Sequence, residues 1–201
     1  MTVSIVDYGL GNLGSVFNML RRIGEDARIV SEPSELAASE RLLLPGVGAF
    51  DVGVDRLERT GFADGVREFA ASGKPLLGIC LGMQLLFERS EEGGARGLGL
   101  MAGGSRRFAA GPSLRIPHMG WNSIIPVRED PLLKGVEDDN RFYFVHSYHV
   151  VPDDPAHVLA ESDYGGRFVA MVRHDNVAGA QFHPEKSHAF GMTVLRNFAQ
   201  Q

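Results

Sequence analysis

The stretch that decides the fold runs from residue 75 to residue 88 and reads Pro75-Leu-Leu-Gly78-Ile-Cys80-Leu-Gly82-Met-Gln-Leu-Leu-Phe-Glu88. Its apolar start, Pro75–Ile79, is typical of a buried strand, and Leu81–Glu88 is predicted to be a helix that begins directly after Cys80. The pattern Gly-x-Cys-x-Gly at that junction is typical of a nucleophile elbow, a sharp turn that lifts the central side chain out of the sheet. A lone cysteine in an apolar run is otherwise a core residue. The flanking glycines, which avoid clashes in so tight a turn, make Cys80 a candidate nucleophile.

The rest of the N-terminal half alternates short apolar strands with helices. Strands are predicted at Val3–Val6, Arg28–Val30 and Arg41–Leu44, the last of them stopped by Pro45-Gly46. Helices are predicted at Asn12–Ile23, Pro33–Ala38, Val54–Arg59 and Phe62–Ala71. Such alternation is typical of a parallel sheet that is covered by helices on both faces.

The C-terminal half is richer in β-structure. Apolar runs predict strands at Phe142–Val145, Val158–Ser162, Phe168–Arg173 and Val177–Phe182. The turn signal Asp175-Asn176 joins the last two as an antiparallel hairpin, and an amphipathic helix is predicted over Ser187–Gln200. We therefore expect one α/β domain over residues 1–201, with a mostly parallel central sheet, helices on both faces and antiparallel β additions in the C-terminal half.

Composition argues against several classes of protein. Of the 201 residues, 44% are hydrophobic and 22% are charged, which is ordinary globular usage. A net charge of −5 argues against nucleic acid or an anionic membrane as a partner. The single cysteine excludes an internal disulfide framework and fits a reducing compartment. Because the apolar runs are also too short to span a bilayer, we expect a cytoplasmic protein.

The histidines do not suggest a metal centre. Their spacing lacks a His-x-x-x-His pair or a matching acidic partner. The pair His146-x-x-His149 has an odd offset, which on a strand predicts side chains on opposite faces. We therefore expect no metal site.

A general base is expected where the last predicted strand ends, at His183-Pro184-Glu185. Because the carboxyl ends of parallel strands meet at one edge of a sheet, His183 can reach Cys80 there. Glu185 can hold the imidazole in the tautomer and orientation that a base needs. A His-x-Glu pair alone is more often a solvated surface pair, and its position at a strand end favours the catalytic interpretation.

An acyl-transfer site also needs donors for the oxyanion. One expected donor is the backbone N–H of Leu81, the residue after the nucleophile. The other is expected from the glycine-containing loop Pro45-Gly46-Val47-Gly48, through Val47. The alternative interpretation of that loop is a plain turn between a strand and a helix.

A second glycine pattern lies near the N-terminus. Gly9-Leu-Gly11-Asn-Leu-Gly14 matches the dinucleotide-binding fingerprint between a predicted strand and a predicted helix, and Glu32 stands near the expected acidic position. Asp7, however, would place a carboxylate near the pyrophosphate. The alternative is that these glycines shape a tight turn and permit close packing. A nicotinamide-binding protein remains a rival hypothesis, and it predicts indifference to Cys80→Ala.

Taken together, these residues resemble the class I, triad-type glutamine amidotransferases. Within that family the sequence is most similar to the glutaminase subunits of imidazole glycerol phosphate synthases. The elbow and His-Pro-Glu segments identify only the wider family. The narrower likeness comes from Gly120-Trp-Asn122, His146-Ser-Tyr148 and Glu185-Lys-Ser187. These segments belong to six matching stretches, which are Asp7–Leu13, Leu44–Phe50, Gly78–Leu86, Pro117–Asn122, Tyr143–Tyr148 and Gln181–Ser187.

The resemblance implies a mechanism and a set of binding residues. Cys80 attacks the side-chain amide of glutamine, His183 transfers the proton, and a γ-glutamyl thioester is hydrolysed to glutamate with release of ammonia. No cofactor is implied. The positions that match substrate-binding residues of the family are Gly48, Gln84, Ser147, Tyr148 and, more weakly, Glu92.

The resemblance also implies a partner. In the family the ammonia passes to a (β/α)8-barrel cyclase subunit, with which the glutaminase forms a heterodimer. The positions that match contact or gating residues are Asn12, Trp121, Asn122, Tyr143 and Lys186. A lone tryptophan is usually a core residue, whereas Trp121 in this polar segment suits an interface anchor.

Two rival functions share the same chemistry. An amidotransferase of pyridoxal phosphate synthesis would hydrolyse glutamine but dock on a different barrel, and Trp121-Asn122 favours the histidine pathway. A stand-alone cysteine hydrolase of γ-glutamyl peptides would turn over without a partner.

Overall fold

The computed structural model describes residues 2–109 and 114–201, so Met1 and 110–113 of the predicted domain lie outside the described residues. The strands are β1 (Thr2–Val6), β2 (Asp26–Val30), β3 (Arg41–Gly46), β4 (Leu76–Cys80), β5 (Phe87–Ser90), β6 (Met101–Arg107), β7 (His118–Asn122), β8 (Ile125–Pro126), β9 (Phe142–His146), β10 (Tyr148–Pro152), β11 (Val158–Asp163), β12 (Arg167–His174) and β13 (Val177–Ala180). The α-helices are α1 (Leu13–Arg22), α2 (Phe50–Arg59), α3 (Phe62–Ala71), α4 (Leu81–Leu85) and α5 (His188–Ala199). Short 3-10 helices lie at Pro33–Ala38, Pro131–Leu133, Pro155–His157 and Pro184–Lys186.

The main sheet has eight strands in the order β2-β1-β3-β4-β13-β12-β11-β8. The strands from β2 to β13 pair in parallel, and those from β13 to β8 pair antiparallel. The β12–β13 connection is the predicted hairpin, and Asp175 in its turn has a φ of 51°. The predicted fold class, a mostly parallel sheet with antiparallel additions in the C-terminal half, is confirmed.

The central strands are buried on both faces, and their side chains divide the core into two layers. Along β3, Leu43 packs into the layer that contains Leu20 of α1 and Leu195 of α5. Its neighbour Leu42 packs into the opposite layer with residues of α2 and α3, such as Val66. This alternation follows from the two-residue period of a strand. Helices therefore cover both faces, as expected.

Strand β3 continues through Pro45-Gly46, where the sequence predicted that it would stop. The N–H of Leu42 donates to the carbonyl of Pro75, just before β4. Because N–H groups alternate between the two sides of a strand, those of Leu44 and Gly46 also face β4. The missing N–H of Pro45 therefore faces β1, which pairs with β3 only as far as Leu43. The proline costs no ladder hydrogen bond, and Gly46 still pairs with Cys80.

Helix α4 is shorter than predicted and ends at Leu85, after which Phe87–Ser90 forms strand β5. The carbonyls of Leu85 and Leu86 accept hydrogen bonds from the N–H groups of Leu98 and Leu100. Tertiary pairing therefore overrides the helical pattern. The new strand joins a three-stranded sheet of order β10-β6-β5, and β7 and β9 form a separate two-stranded ribbon. Within the described ranges, no helix is long and apolar enough to cross a membrane.

Candidate active site

Cys80 occupies the turn between β4 and α4 in a strained backbone conformation, with φ 54° and ψ −111°. Positive φ is unfavourable for a residue with a side chain and costs about 1–3 kcal/mol. A Cβ on Gly82 would overlap the carbonyl oxygen of Leu44, and a Cβ on Gly78 would lie 2.7 Å from the backbone of Gly82. Only glycines fit on either side of Cys80, so the structure forms the nucleophile elbow that the sequence predicts.

The imidazole of His183 is held from behind. His183 follows β13, and its backbone N–H donates to the carbonyl of Tyr143 at 2.9 Å. Its Nδ1 donates to the Glu185 carboxylate at 2.8 Å, and both side chains are only 2% exposed. With Nδ1 engaged, Nε2 is left for Cys80; it is buried and has no hydrogen-bond partner among residues 2–109 and 114–201.

The charge state of His183 suits a proton donor beside Cys80. Burial by itself favours the neutral ring, but the neighbouring Cys80 and the Glu185 carboxylate outweigh burial and raise the pKa of His183 to about 9. The imidazole is therefore protonated at neutral pH. The protonated ring can give its Nε2 proton to the group that leaves when Cys80 attacks.

A cavity of about 310 Å³ opens over Cys80. Its size lies at the lower end of the roughly 300–1,000 Å³ typical of small-molecule sites. It is lined by Val47, Gly48, Cys80, Leu81, Gln84, Glu92, Pro117, Val145, His146, Ser147, Tyr148 and His183. The structure thus brings together both predicted oxyanion positions and all the predicted substrate positions. Glu185 is not in the lining, because it lies behind His183.

Glu92 enters this cavity from a loop and not from a helix end, because α4 stops early. One oxygen of its carboxylate accepts a hydrogen bond from the backbone N–H of Phe50 at 2.8 Å. Phe50 is the first residue of α2, so the negative charge also lies at the positive end of that helix. Glu92 is therefore a fixed carboxylate at the wall of the cavity.

The loop that carries Val47 is fixed by a residue that sequence reasoning did not single out. The hydroxyl of Tyr8 is buried and donates to the carbonyl of Pro45 at 2.8 Å. Burial, and then the negative charge of Cys80, raise the pKa of Tyr8, so the phenol stays neutral and donates. Nothing in the sequence alone connects Tyr8 with Pro45, since the contact depends on the order of β1 and β3 in the sheet.

The N-terminal glycines pack against the same loop. Gly11 has φ 106°, and a Cβ there would lie 3.1 Å from Pro45 Cβ. Asp7 accepts a hydrogen bond from the backbone N–H of Gly9 at 3.1 Å, and Asn12 caps α1 by accepting from Ser15. This geometry supports the interpretation of the glycines as a tight turn that permits close packing.

The predicted interface residues lie outside the cavity. Trp121 is 47% exposed, lies edge-on to Tyr143 at 5.8 Å and stacks on His188 at 5.2 Å. The Lys186 ammonium lies 5.7 Å from the Tyr143 ring centroid. Asn12 lies apart from these side chains, at the start of α1.

The odd spacing of His146 and His149 predicted that their side chains lie on opposite faces, and this prediction is wrong. The backbone bends at Ser147, between β9 and β10. Both rings therefore contact Phe108, with centroid distances of 5.2 and 4.8 Å. His146 also pairs with His118, whose Nδ1 lies 3.1 Å from His146 Nε2.

Comparison with known proteins agrees with this arrangement. The family model for class-I glutamine amidotransferases matches residues 4–201. Imidazole glycerol phosphate synthase subunit HisH 2 of Pseudomonas aeruginosa is 47% identical over 199 residues, with 98% of each chain covered. The subunit HisH of Wolinella succinogenes is 50% identical over 202 residues, again with 98% of each chain covered.

Solved structures share the fold at lower identity. A structure described as a glutamine amidotransferase superposes with a TM-score of 0.74 at 22% identity and covers 98% of this chain and 97% of that one. The PurLQS structure of Thermotoga maritima gives a TM-score of 0.73 at 21% identity, with 99% and 97% covered. The family model matches almost the whole length of the chain, and two relatives are 47% and 50% identical to it. This chain therefore belongs to the class-I glutamine amidotransferase family.

Proposed function

We propose that this chain is the glutaminase subunit of an imidazole glycerol phosphate synthase and acts in histidine biosynthesis in the cytoplasm. The observation that carries this proposal is the identity of 47–50%, over nearly the full length of both chains, with relatives named as that subunit. The position of Cys80 and His183 in one cavity supplies the chemistry that such a subunit requires.

Hydrolysis begins with attack of the Cys80 sulfur on the side-chain amide carbon of glutamine. The proton that leaves the thiol resides on His183, which gives it to the departing nitrogen so that ammonia is released. A γ-glutamyl thioester then remains on Cys80. Water attacks the thioester, the C–S bond breaks, and glutamate and the free enzyme are formed. Glu185 keeps Nδ1 of His183 occupied, so Nε2 is the atom that carries the transferred proton.

The walls of the cavity would hold the substrate during these steps. The backbone N–H groups of Val47 and Leu81 are the expected oxyanion donors, one on either side of Cys80. Gly48, Gln84, Ser147 and Tyr148 are the expected contacts along the substrate. The carboxylate of Glu92 suits the α-ammonium group of glutamine, because its remaining oxygen can accept a charge-assisted hydrogen bond.

The partner in this proposal is a (β/α)8-barrel cyclase subunit, and the two chains form a heterodimer. The relatives are named as subunits, and Trp121 and Met119 are 47% and 63% exposed on strand β7. Large exposed side chains beside Lys186 suit the centre and rim of an interface. The cyclase would use the ammonia on a phosphoribosyl-formimino carboxamide nucleotide and form imidazole glycerol phosphate and an aminoimidazole carboxamide ribonucleotide.

The test measures glutamate formation from glutamine by this chain alone and then with the cyclase subunit and its nucleotide ligand. We expect a low rate for the chain alone and a sharp rise with partner and ligand. A fast rate for the chain alone would instead support a stand-alone hydrolase. No glutamate from a complex that demonstrably forms would contradict the proposal.

A further inference from the structure

Two buried glutamine side chains connect the wall of the cavity with the Cys80 sulfur. Nε2 of Gln84 lies 3.1 Å from the carbonyl oxygen of Tyr148 and 3.1 Å from Oε1 of Gln181. Nε2 of Gln181 in turn lies 3.7 Å from Sγ of Cys80. Gln84 is 5% exposed and Gln181 is fully buried. The position of Gln181 after β13 does not by itself show that its side chain reaches Cys80.

The direction of these hydrogen bonds is fixed from one end. A backbone carbonyl can only accept, so Gln84 must direct its NH2 group to Tyr148. The other hydrogen of that group then points to Gln181, which must direct its oxygen to Gln84. The NH2 group of Gln181 is left to face Cys80, so the sulfur receives a donor. Such a donor favours the thiolate over the thiol.

The same carbonyl is held by a pair of buried histidines. Nδ1 of His146 donates to Tyr148 O at 2.8 Å, and Nδ1 of His118 donates to Nε2 of His146 at 3.1 Å. At the outer end, Nδ2 of Asn122 lies 3.4 Å from Nε2 of His118. Each imidazole thus donates with one nitrogen and accepts with the other, which only a neutral ring can do.

Burial supports that protonation state. His118 and His146 are 3% and 6% exposed, and burial lowers the pKa of His118 to about 4. Burial is also the main cause that lowers the pKa of His146 to about 3, and the nearby histidines add to it. Both rings are therefore neutral at pH 7, in agreement with the hydrogen-bond directions.

We propose that Gln84 and Gln181 form an amide pair that presents an N–H group to the Cys80 sulfur, and that His146 and His118 are positioning residues that hold the pair through the Tyr148 carbonyl. The role in glutamine hydrolysis rests on the proposed function. The effect on the sulfur does not, because it concerns the thiol itself.

The hydrogen-bond chain has a consequence for how the site responds to its surroundings. The two side-chain amides are hydrogen-bonded to each other, so they can rotate by a half-turn only together. After that rotation, the oxygen of Gln181 would face the Cys80 sulfur. The Tyr148 carbonyl disfavours the rotated amides, because it would then face the oxygen of Gln84. His146 keeps this carbonyl in place through its hydrogen bond. These hydrogen bonds reach Asn122, whose Nδ2 also donates to the carbonyl of Asp163 at 2.7 Å. Asn122 is next to the exposed Trp121 on β7, so a partner that moves β7 can act on the thiol.

The first test follows alkylation of Cys80 by iodoacetamide, which reports on the thiolate because the chain has a single cysteine. Gln181→Met keeps a similar shape but removes the donor, and we expect alkylation at pH 7 to slow about fivefold, as for one lost hydrogen bond. His118→Leu should also slow the alkylation of Cys80. His118→Asn should restore most of the rate, because its amide can replace Nδ1 as the donor.

His174→Leu is the matched control, since His174 stacks on His157 at the end of the β12–β13 hairpin. Val177, just beyond that turn, pairs with Leu76 at the start of β4, so His174 lies at the sheet edge opposite Cys80. Unfolding by urea, measured for each variant, confirms that the compared chains are folded. The control should be alkylated at the wild-type rate.

The outcomes separate this inference from the proposed function. Slow alkylation in Gln181→Met and His118→Leu, with rescue by His118→Asn, supports the amide pair even if no variant forms glutamate from glutamine. Wild-type alkylation rates in folded Gln181→Met and His118→Leu overturn it, even if the wild-type complex hydrolyses glutamine. Equal slowing in His118→Leu and His118→Asn would overturn the histidine part, because loss of packing alone then explains it.

Discussion

Acidification should destabilise this protein through its buried histidine pair. His118 and His146 have folded-state pKa values of about 4 and about 3, below the ordinary value of 6.5. The unfolded chain therefore binds more protons than the folded one between these values, and the free energy of unfolding falls as pH falls. From pH 7 to pH 5 the loss is about 2 kcal/mol for each ring, or about 4 kcal/mol together.

His183 acts in the opposite direction, because its folded-state pKa of about 9 lies above 6.5. Its contribution to stability is complete below pH 6.5 and is lost as pH rises through 9, so between pH 7 and pH 5 it offsets roughly 1 kcal/mol of the loss. A direct comparison of wild type at two pH values would mix these effects. A variant that lacks one histidine of the pair isolates the contribution of that ring.

The assay is urea unfolding of wild type, His118→Asn and His174→Asn at pH 7 and pH 5. His118→Asn should lose about 2 kcal/mol less than wild type on acidification, because one proton-binding group of the unfolded chain is gone. The exposed His174 serves as the matched surface position, and its variant should follow wild type. Equal losses in wild type and His118→Asn would refute the claim that His118 is buried in its neutral form.

Three further predictions concern the active site, the elbow and the surface. Glu185→Gln should lower glutamate formation by about tenfold to a hundredfold, as for a charge-assisted hydrogen bond, and should move the loss of activity at high pH to lower pH. A pH–rate profile checks both effects. Gly82→Ala should lower the free energy of unfolding by about 3 kcal/mol in urea, since the new Cβ overlaps the Leu44 carbonyl. Gly14→Ala is the control: no atom lies within 4 Å of the new Cβ, so the free energy of unfolding should rise by up to about 1 kcal/mol. Trp121→Ala should lower the free energy of unfolding by about 1 kcal/mol, because its aromatic contacts with Tyr143 and His188 are lost, and should weaken binding of the proposed cyclase subunit at least tenfold by calorimetry. Unchanged affinity would remove Trp121 from the interface.

The sequence predicted the features that depend on short stretches of chain. The strand of the elbow, its glycines and the hairpin at Asp175-Asn176 follow from local periodicity and turn chemistry, and the structure has them. The early end of α4 was not predictable in this way. Its last residue, Leu85, is set by backbone pairing with Leu98, which lies on a separate segment of the chain.

The candidate active site also contains residues that the sequence could predict and residues that it could not. Cys80 and His183 could be chosen because a motif or a strand end marks each of them. Gln181 and the His118–His146 pair could not, because their roles depend on contacts between strands that are far apart in the sequence. The odd spacing of His146 and His149 was misleading, since the bend at Ser147 reverses the alternation that a regular strand would give.

The most direct test of the account compares wild type with Cys80→Ala in the assembled complex. Glutamate formation from glutamine is measured in the presence of the proposed cyclase subunit and its nucleotide ligand, and sedimentation confirms that both complexes form. We predict that Cys80→Ala binds the partner as wild type does and forms no glutamate above the uncatalysed rate. Glutamate formation at a rate near that of wild type would contradict the thioester mechanism and the role of the elbow.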